Sequence, residues 1–531
     1  MDTQVLEREQ TQSKKRTVEK VFLINPPRFN ELIGKNPAIV EKNRGYNPPL
    51  GILSLAGYLE NQSKYKVDLL DAQPKEYSYA ELEQVLRERL EGVDVVGITA
   101  MTFTLIDVIK TVKLCKEINP DVVVVLGGPH VHIYPDETIS IPEVDYLVQG
   151  EGEITFLKLL DNLDDKDELK KHQGYVFEAD GKVINTGISP STENLDELGI
   201  PARHLTDIND YSSLLGRANT ITTMFTSRGC PFRCTFCDRP FSPVISGFRA
   251  RTAKHVVDEM EQCIQMGITE AFIYDDTFTV KKDRVEELCD EIIARGIDFK
   301  WDVRAHVNTV TPDLLKKMHS AGCDRIHFGV EAGNDRMLKV IKKNTTTARV
   351  REAIGWAKDS GMEVLAYFII GQQTETREDI EDTIKFAKSL DANYVHFTIF
   401  CPYPATEVYA MGLQQGTIKQ DVWREFSKNP GEGFEIPMWE ENFTKQELRE
   451  MLVHCYKSFY LRPGYILRRL MNIRSWGEFK RKAKAGLSVI TMKAGAKYDT
   501  LRDLEKKVSN IVPRAPISIH TSQEPTDLNK K

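Results

Sequence analysis

The sequence predicts an α/β protein in three parts. These are an N-terminal doubly wound sheet of Rossmann or flavodoxin type, a partial (β/α)6 TIM-like barrel, and a helical C-terminal region. Three observations predict it. From 21 to about 163, short apolar strands alternate with amphipathic helices. A second alternation of six βα units begins at 220. From about 435 the strand signals stop while helical periodicity continues.

In the first unit the pattern places strands over 21–25, 66–71, 94–99, 122–127 and 146–149, and helices over 51–61, 79–90, 105–117 and 153–162. The third and fourth strands, DVVGIT and DVVVVLGG, are β-branched runs of the kind buried on both faces of a parallel sheet. The segment 174–187 reads as a hairpin turning at Ala179-Asp180-Gly181. The domain therefore spans 20–187. The stretch 188–219 holds Pro, Asn and Asp without periodicity and reads as a linker.

In the second unit strands are expected over 221–226, 271–275, 300–304, 326–330, 364–370 and 394–400. Helices are expected over 253–266, 285–295, 312–321, 347–360 and 377–390. Six βα units are fewer than the eight of a closed barrel, so 220–434 reads as an open one with its chemistry at the carboxyl ends of the strands. Helices fill 435–512. The polar ends, 1–19 and 513–531, are expected to be disordered.

A chain of 531 residues exceeds one ordinary core, and 41% hydrophobic with 28% charged residues is a globular composition. The net charge of -7 argues against a general nucleic-acid binder. The first 19 residues carry no apolar run after their basic residues, so they do not read as a signal peptide. No window reaches the roughly 18 apolar residues that span a bilayer. A cytoplasmic, reducing location is expected.

Of nine cysteines, Cys115, Cys263, Cys289, Cys323, Cys401 and Cys455 are scattered singly and read as small buried hydrophobes. The other three sit in Thr226-Ser-Arg-Gly-Cys230-Pro-Phe-Arg-Cys234-Thr-Phe-Cys237, at spacing Cys-x3-Cys-x2-Cys. They directly follow the first strand of the barrel, where such folds keep their active site. Thiolates suit zinc or iron–sulfur clusters. A structural zinc wants a fourth ligand, which this loop lacks, and a disulfide would strand one thiol. A 4Fe–4S cluster on three cysteines leaves one iron open for a substrate or cofactor.

This loop, with Phe236 ahead of the last cysteine, resembles the signature of the radical S-adenosylmethionine (SAM) superfamily, over about 220–409. The resemblance implies a 4Fe–4S cluster on Cys230, Cys234 and Cys237 whose open iron chelates SAM, and reductive cleavage of SAM to a 5′-deoxyadenosyl radical. It further implies Phe236 over the adenine and Glu331, closing the fourth strand, toward the ribose. Arg304, closing the third strand, would meet the SAM carboxylate, and Gly371, after the fifth, would admit the adenine. The family's Gly-Gly-Glu-like element is replaced by Tyr274-Asp275-Asp276, where Asp275 would accept from the SAM ammonium.

A doubly wound sheet binds ligands at the carboxyl ends of its strands. Here those ends carry Thr99-Ala-Met-Thr102, Gly127-Gly-Pro-His130 and Gly150-Glu-Gly-Glu153. Glycines at such places let backbone approach a large flat ligand. No Gly-x-Gly-x-x-Gly follows the first strand, which argues against a dinucleotide. Together with Tyr46-Asn-Pro-Pro-Leu-Gly51, these motifs resemble the cobalamin-binding class of radical SAM proteins. That class includes the anaerobic magnesium-protoporphyrin monomethyl ester cyclase and the lipid, antibiotic and phosphinate methylases. The resemblance implies cobalamin near Gly51, Thr99, Gly127, Gly128 and Gly150. None of the eleven histidines follows the Asp-x-His pattern that supplies a lower cobalt ligand elsewhere. His130 reads as a loop residue rather than that ligand.

Three functional readings stand at this level: cobalamin-dependent methylation of an unactivated carbon on a small apolar substrate, a non-methylating cyclisation, oxidation or coupling, and a cofactor sensor without turnover. The first two imply a flavodoxin or ferredoxin as electron donor. The segment 461–500 mixes Arg468, Arg469, Arg474, Lys480, Arg481, Lys482 and Lys484 with Tyr465, Leu467, Leu470 and Trp476. It reads as a solvated helix capping the barrel or, alternatively, as a peripheral contact with an anionic membrane.

Overall fold

The first strand, β1 (Lys20–Asn25), is KVFLIN, and every residue after its first is buried. Such a strand needs cover on both faces. In the computed structural model, which describes residues 17–32, 45–213, 215–218, 220–239, 247–431, 433–471, 483 and 486–492, it lies inside a seven-stranded sheet. Its partners are β2 (Lys66–Asp71), β3 (Val95–Thr99), β4 (Val123–Gly127), β5 (Tyr146–Val148), β6 (Tyr175–Ala179) and β7 (Lys182–Asn185). The order is β2-β1-β3-β4-β5-β6-β7. The first five strands run parallel, and the expected hairpin, β6–β7, adds antiparallel to β5. Alternate residues of β1 feed opposite cores: Val21 and Leu23 meet Leu53 and Phe156, while Phe22 and Ile24 meet Leu82 and Val108. The chain order reverses beside β1, which marks the carboxyl ends of β1 and β3 as the ligand-binding edge.

The barrel strands are β8 (Thr222–Met224), β9 (Glu270–Ile273), β10 (Lys300–Ala305), β11 (Cys323–Glu331), β12 (Glu363–Ile370) and β13 (Tyr394–Ile399). All are parallel and lie in sequence order. Ile273, Val303, Phe328, Phe368 and Phe397 face the surrounding helices and build the largest core. The intervening helices Ala253–Gln265, Lys282–Ala294, Pro312–Ser320, Thr347–Asp359 and Arg377–Leu390 match expectation to within a few residues. Thr252, Thr311, Thr346 and Thr376 cap four of them by accepting a backbone N–H of the first turn.

Two expectations need correction. The first barrel strand is only three residues long, because the chain bends so that Ser227–Arg228 can pair antiparallel with Arg249–Ala250. The stretch 188–219 is a packed connection rather than a free linker. Arg203 within it is buried, donating to Thr223 O at 2.6 Å and pairing with Glu259, which Arg251 also holds. After β13 come helices at Glu407–Gln415 and Val422–Lys428, carried by Val408, Tyr409, Trp423 and Phe426, which are buried.

Those last residues join an apolar cluster that spans the molecule. Phe103, Leu105, Ile106 and Tyr134 of the N-terminal domain meet Phe236, Ile369 and Phe400 of the barrel, and Tyr403, Trp423 and Trp439 beyond it. The C-terminal helix Lys445–Tyr460 lies along β13, where Tyr456 Oη donates to Phe397 O at 3.0 Å and Tyr460 Oη to Val395 O at 2.7 Å. The next helix, Pro463–Met471, spends Arg468 on Asp391. The ends 1–16 and 493–531 and most of 472–485 lie outside the described residues. No described helix is long and apolar enough to cross a membrane.

Candidate active site

The cysteine loop leaves the barrel after Arg228 and is held at several points. Asp275, fully buried at the end of β9, accepts from Thr226 N at 2.7 Å, from Thr226 Oγ1 at 2.6 Å and from Ser227 Oγ. Farther along, Thr235 N donates to Ile341 O and Val408 N to Thr235 O. Phe232, between the first two cysteines, stacks on the His306 ring at 3.8 Å and 12°. His306 Nδ1 accepts from Asn308 N at 3.2 Å, so Nε2 carries the proton and donates to Lys343 O at 3.1 Å. Burial, then the Lys343 charge, brings the His306 pKa down to about 3, so the ring is a neutral platform.

Cys234 is buried and Cys230 and Cys237 are half-buried; none of the nine cysteines forms a disulfide. Thr277 Oγ1 lies 3.4 Å from Cys230 Sγ. Burial raises the Cys234 thiol pKa, and the nearby Lys343 pulls against it. The six scattered cysteines are all buried, as their surroundings predict.

Lys343 is the group that pattern reading missed. Its ammonium is buried, 2.8 Å from Glu331 Oε1 and 6.0 Å from the centre of the Phe236 ring. Glu331 itself adopts a left-handed φ of 70°. A buried lysine is seldom legible in sequence, because the residue type is mostly exposed. Phe236 lies half-buried in the apolar cluster that joins the two domains.

Other candidates fall in different places. Asp275 has its carboxylate committed to the strand end and so orders the cysteine loop from below. Gly371 N donates to Glu375, and a Cβ at Gly371 would lie 2.7 Å from Leu448 Cδ2, so its open side faces the C-terminal helix. Arg304 stands inside the barrel with its guanidinium carbon 4.6 Å from the centre of the Tyr274 ring.

At the ligand-binding edge of the N-terminal domain, Thr99, Gly127 and Gly128 lie at the ends of β3 and β4. Gly128 has a φ of +97°, and a Cβ there would sit 2.9 Å from Ala100 O. Gly51 opens the helix Leu50–Gln62 and is exposed. His130 is buried, with Nδ1 3.0 Å from Thr102 Oγ1. Burial and then His132 lower its pKa to about 4.

The two remaining motifs join domains. Glu151 and Glu153 of Gly150-Glu-Gly-Glu153 pair with Arg228 at 3.0 and 2.6 Å, and Glu151 also pairs with Arg249 at 2.8 Å. In Tyr46-Asn-Pro-Pro-Leu-Gly51, Asn47 Nδ2 donates to Tyr274 Oη at 3.1 Å and Pro48 O accepts from Thr223 Oγ1 at 3.4 Å. Both motifs thus fix the N-terminal domain onto the barrel strands that flank the cysteines.

Comparison with known proteins decides the family. Residues 224–387 match the radical SAM superfamily, and residues 37–160 match a B12 binding domain. An uncharacterized methyltransferase of Pyrococcus horikoshii is 33% identical over 453 residues, covering 85% of this chain and 94% of that protein. The chain belongs to the radical SAM enzymes that carry a B12 binding domain. The anaerobic magnesium-protoporphyrin IX monomethyl ester cyclase of Rubrivivax gelatinosus is 29% identical, over 79% of this chain and 75% of its own.

The fold agrees. The cobalamin-dependent SAM radical enzyme OxsB superimposes with a TM-score of 0.67 at 16% identity, over 89% of this chain and 71% of that one. The radical SAM methyltransferase TsrM of Kitasatospora setae gives 0.60 at 17%, over 76% of each. The protein is therefore an enzyme whose cofactors are a 4Fe–4S cluster, SAM and cobalamin, and the sensor reading is set aside.

The residues fit these groups. Three free thiols on one loop, Cys234 buried and Cys230 and Cys237 half-buried, suit a four-iron cubane that takes each thiolate at a different corner. At the other site, Gly127 leaves room beside its backbone at the strand end where a doubly wound sheet receives its ligand, and Gly128 lets the following turn pack tightly on Ala100.

Proposed function

We propose that this radical SAM enzyme methylates an unactivated carbon of a small apolar substrate, with cobalamin as the methyl carrier. The observation that carries the reading is the apolar cluster in which Phe103 and Tyr134, beside the ligand-binding edge of the B12 domain, pack together with Phe236 of the cysteine loop. Apolar packing that joins the two cofactor sites would bring both to one substrate and help exclude water. When bound, the cluster and SAM supply a 5′-deoxyadenosyl radical, and cobalamin supplies a methyl group.

Within that reading Cys230, Cys234 and Cys237 hold the cluster, and the Lys343 ammonium is the charge best placed to meet the SAM carboxylate. Glu331, held by Lys343, takes the ribose side and Phe236 the adenine. Thr99, Gly127 and Gly128 line the cobalamin edge. A flavodoxin or ferredoxin would deliver the electron. Support for a peripheral membrane contact is weaker, since Arg468 is spent on Asp391.

The test is anaerobic purification with hydroxocobalamin, then incubation with methyl-deuterated SAM and the low-mass fraction of the host cell. Iron near four and cobalt near one per chain, with a labelled methyl group in a new product, is expected. A product that is cyclised or desaturated and carries no label would replace this reading with the second one. That alternative draws on the 29% identity to the porphyrin ester cyclase.

A further inference from the structure

The interior of the barrel is layered by charge. At its floor Arg325 lies 2.6 Å from Asp302 and 2.9 Å from Glu363, so that layer neutralises itself. At its mouth Lys343 and Glu331 pair at 2.8 Å. The strand register puts Arg304 between them, level with His327 on β11. Its guanidinium carbon is 4.6 Å from the centre of the Tyr274 ring and 5.2 Å from that of Phe272. Among the described residues no carboxylate pairs with it.

The rings against Arg304 are uncharged, and Asp302, 3.9 Å from His327 Nε2, is already paired with Arg325. Tyr274 is steadied by the hydrogen bond from Asn47. His327 stacks on Phe272 at 4.8 Å and shares a 2.9 Å hydrogen bond between Nδ1 and Tyr367 Oη. Burial, aided by the charges of Arg325 and Arg304, holds the His327 pKa well below its ordinary value. Two aromatic faces offset part of the cost of withdrawing a guanidinium from water, but they supply no counter-charge. A half-buried cation kept at that cost in an active-site lumen is explained when the ligand brings the opposite charge.

We infer that Arg304 receives an anionic headgroup, a carboxylate or a phosphate, carried by the otherwise apolar substrate. This rests on the reading that the barrel lumen is the substrate chamber. It moves Arg304 away from the SAM carboxylate, a role for which Lys343 lies nearer the cysteines. The planar fork of Arg suits either oxyanion through paired hydrogen bonds. The Tyr274 ring bounds the same space.

The test uses the full chain with its cluster reconstituted, and three probes below their micelle concentrations: octanoate, octyl phosphate and octanol. Titration calorimetry should show at least one anion binding about tenfold or more tightly over octanol, with Arg304→Met removing that advantage. Arg304→Lys, which keeps the charge, should retain part of it and guards against a folding artefact. The anion that binds more tightly names the headgroup. Anions that bind no better than octanol would overturn the inference. So would an Arg304→Met protein that loses SAM affinity by the factor expected for the anions, since Arg304 would then belong to SAM. Wild-type enzyme that never yields 5′-deoxyadenosine would defeat the proposed function instead, and the anion titration would still be readable.

Discussion

Arg228 stands two residues ahead of Cys230 and points away from the barrel, its Nη2 2.6 Å from Glu153 of the B12 domain and its Nη1 3.0 Å from Glu151. The strand end that launches the cysteine loop is thereby pinned to the start of the helix Gly152–Asp161 that follows β5. Both carboxylates are nearly inaccessible, and Arg228 is four-fifths covered, so water screens the pairs little. On the proposed function, the spacing between the two cofactor sites would depend on this clamp.

Glu153→Ala should therefore do two things. It strands part of the Arg228 charge, at an expected loss of about 3 kcal/mol in urea unfolding. It should also lower the yield of substrate product per 5′-deoxyadenosine formed, because the radical arises while the second site is misplaced. A Glu153→Ala enzyme that keeps both its unfolding midpoint and that ratio would remove the clamp from the mechanism.

The cluster assignment is checked by single Cys→Ala changes at 230, 234 and 237. Each should take iron from about four per chain to well under one and stop SAM cleavage. Cys263→Ala, in a core pocket away from the loop, should keep its iron and lose only packing, roughly 1 kcal/mol. Iron retained in any of the first three variants would remove that cysteine from the set.

Phe232 on His306 is a face-to-face stack that props the loop between two of the cysteines. Phe232→Ala gives up about 1 kcal/mol of aromatic contact and frees the loop. Reconstituted variant protein should release iron to a chelator several-fold faster than the wild type. Equal release rates would mean that the backbone bonds of Thr235 hold the loop without the stack.

His130 makes stability depend on pH. Its folded pKa is about 4, against 6.5 for the free side chain, because burial opposes its charge. The unfolded chain thus takes up the proton first as pH falls. The stabilisation is complete above 6.5 and is lost as pH drops toward 4. Between about pH 7 and pH 5 the cofactor-free protein should lose about 2 kcal/mol through this group. His130→Asn, which keeps a partner for Thr102, should flatten that part of the curve; an unchanged slope would show that His130 charges freely in the folded state.

The alternation of β-branched strands with amphipathic helices was enough to read both α/β units, because periodicity reports burial directly. The cysteines were legible because three thiols in eight residues have few structural uses. Lys343 was not, because its meaning comes from a fold that closes Glu331 and the cysteine loop over it. Nor was the role of Glu151 and Glu153: their motif resembles a cofactor site, yet their partners, Arg228 and Arg249, lie far along the chain. Asp275 shows the same limit in reverse, since its type and position fit a ligand contact while its oxygens are committed to Thr226 and Ser227.

The apolar cluster that unites the two halves also sets a timetable for synthesis. Leu105, Ile106 and Tyr134 share this cluster with Phe236, Phe400, Trp423 and Trp439, which are translated later. At about 5–20 residues per second, Tyr134 leaves the ribosome roughly 15–60 s before Trp439 exists to cover it. Throughout that interval the nascent B12 domain presents an oily face to the cell. A stall before Trp439 leaves part of that face uncovered and exposed to aggregation.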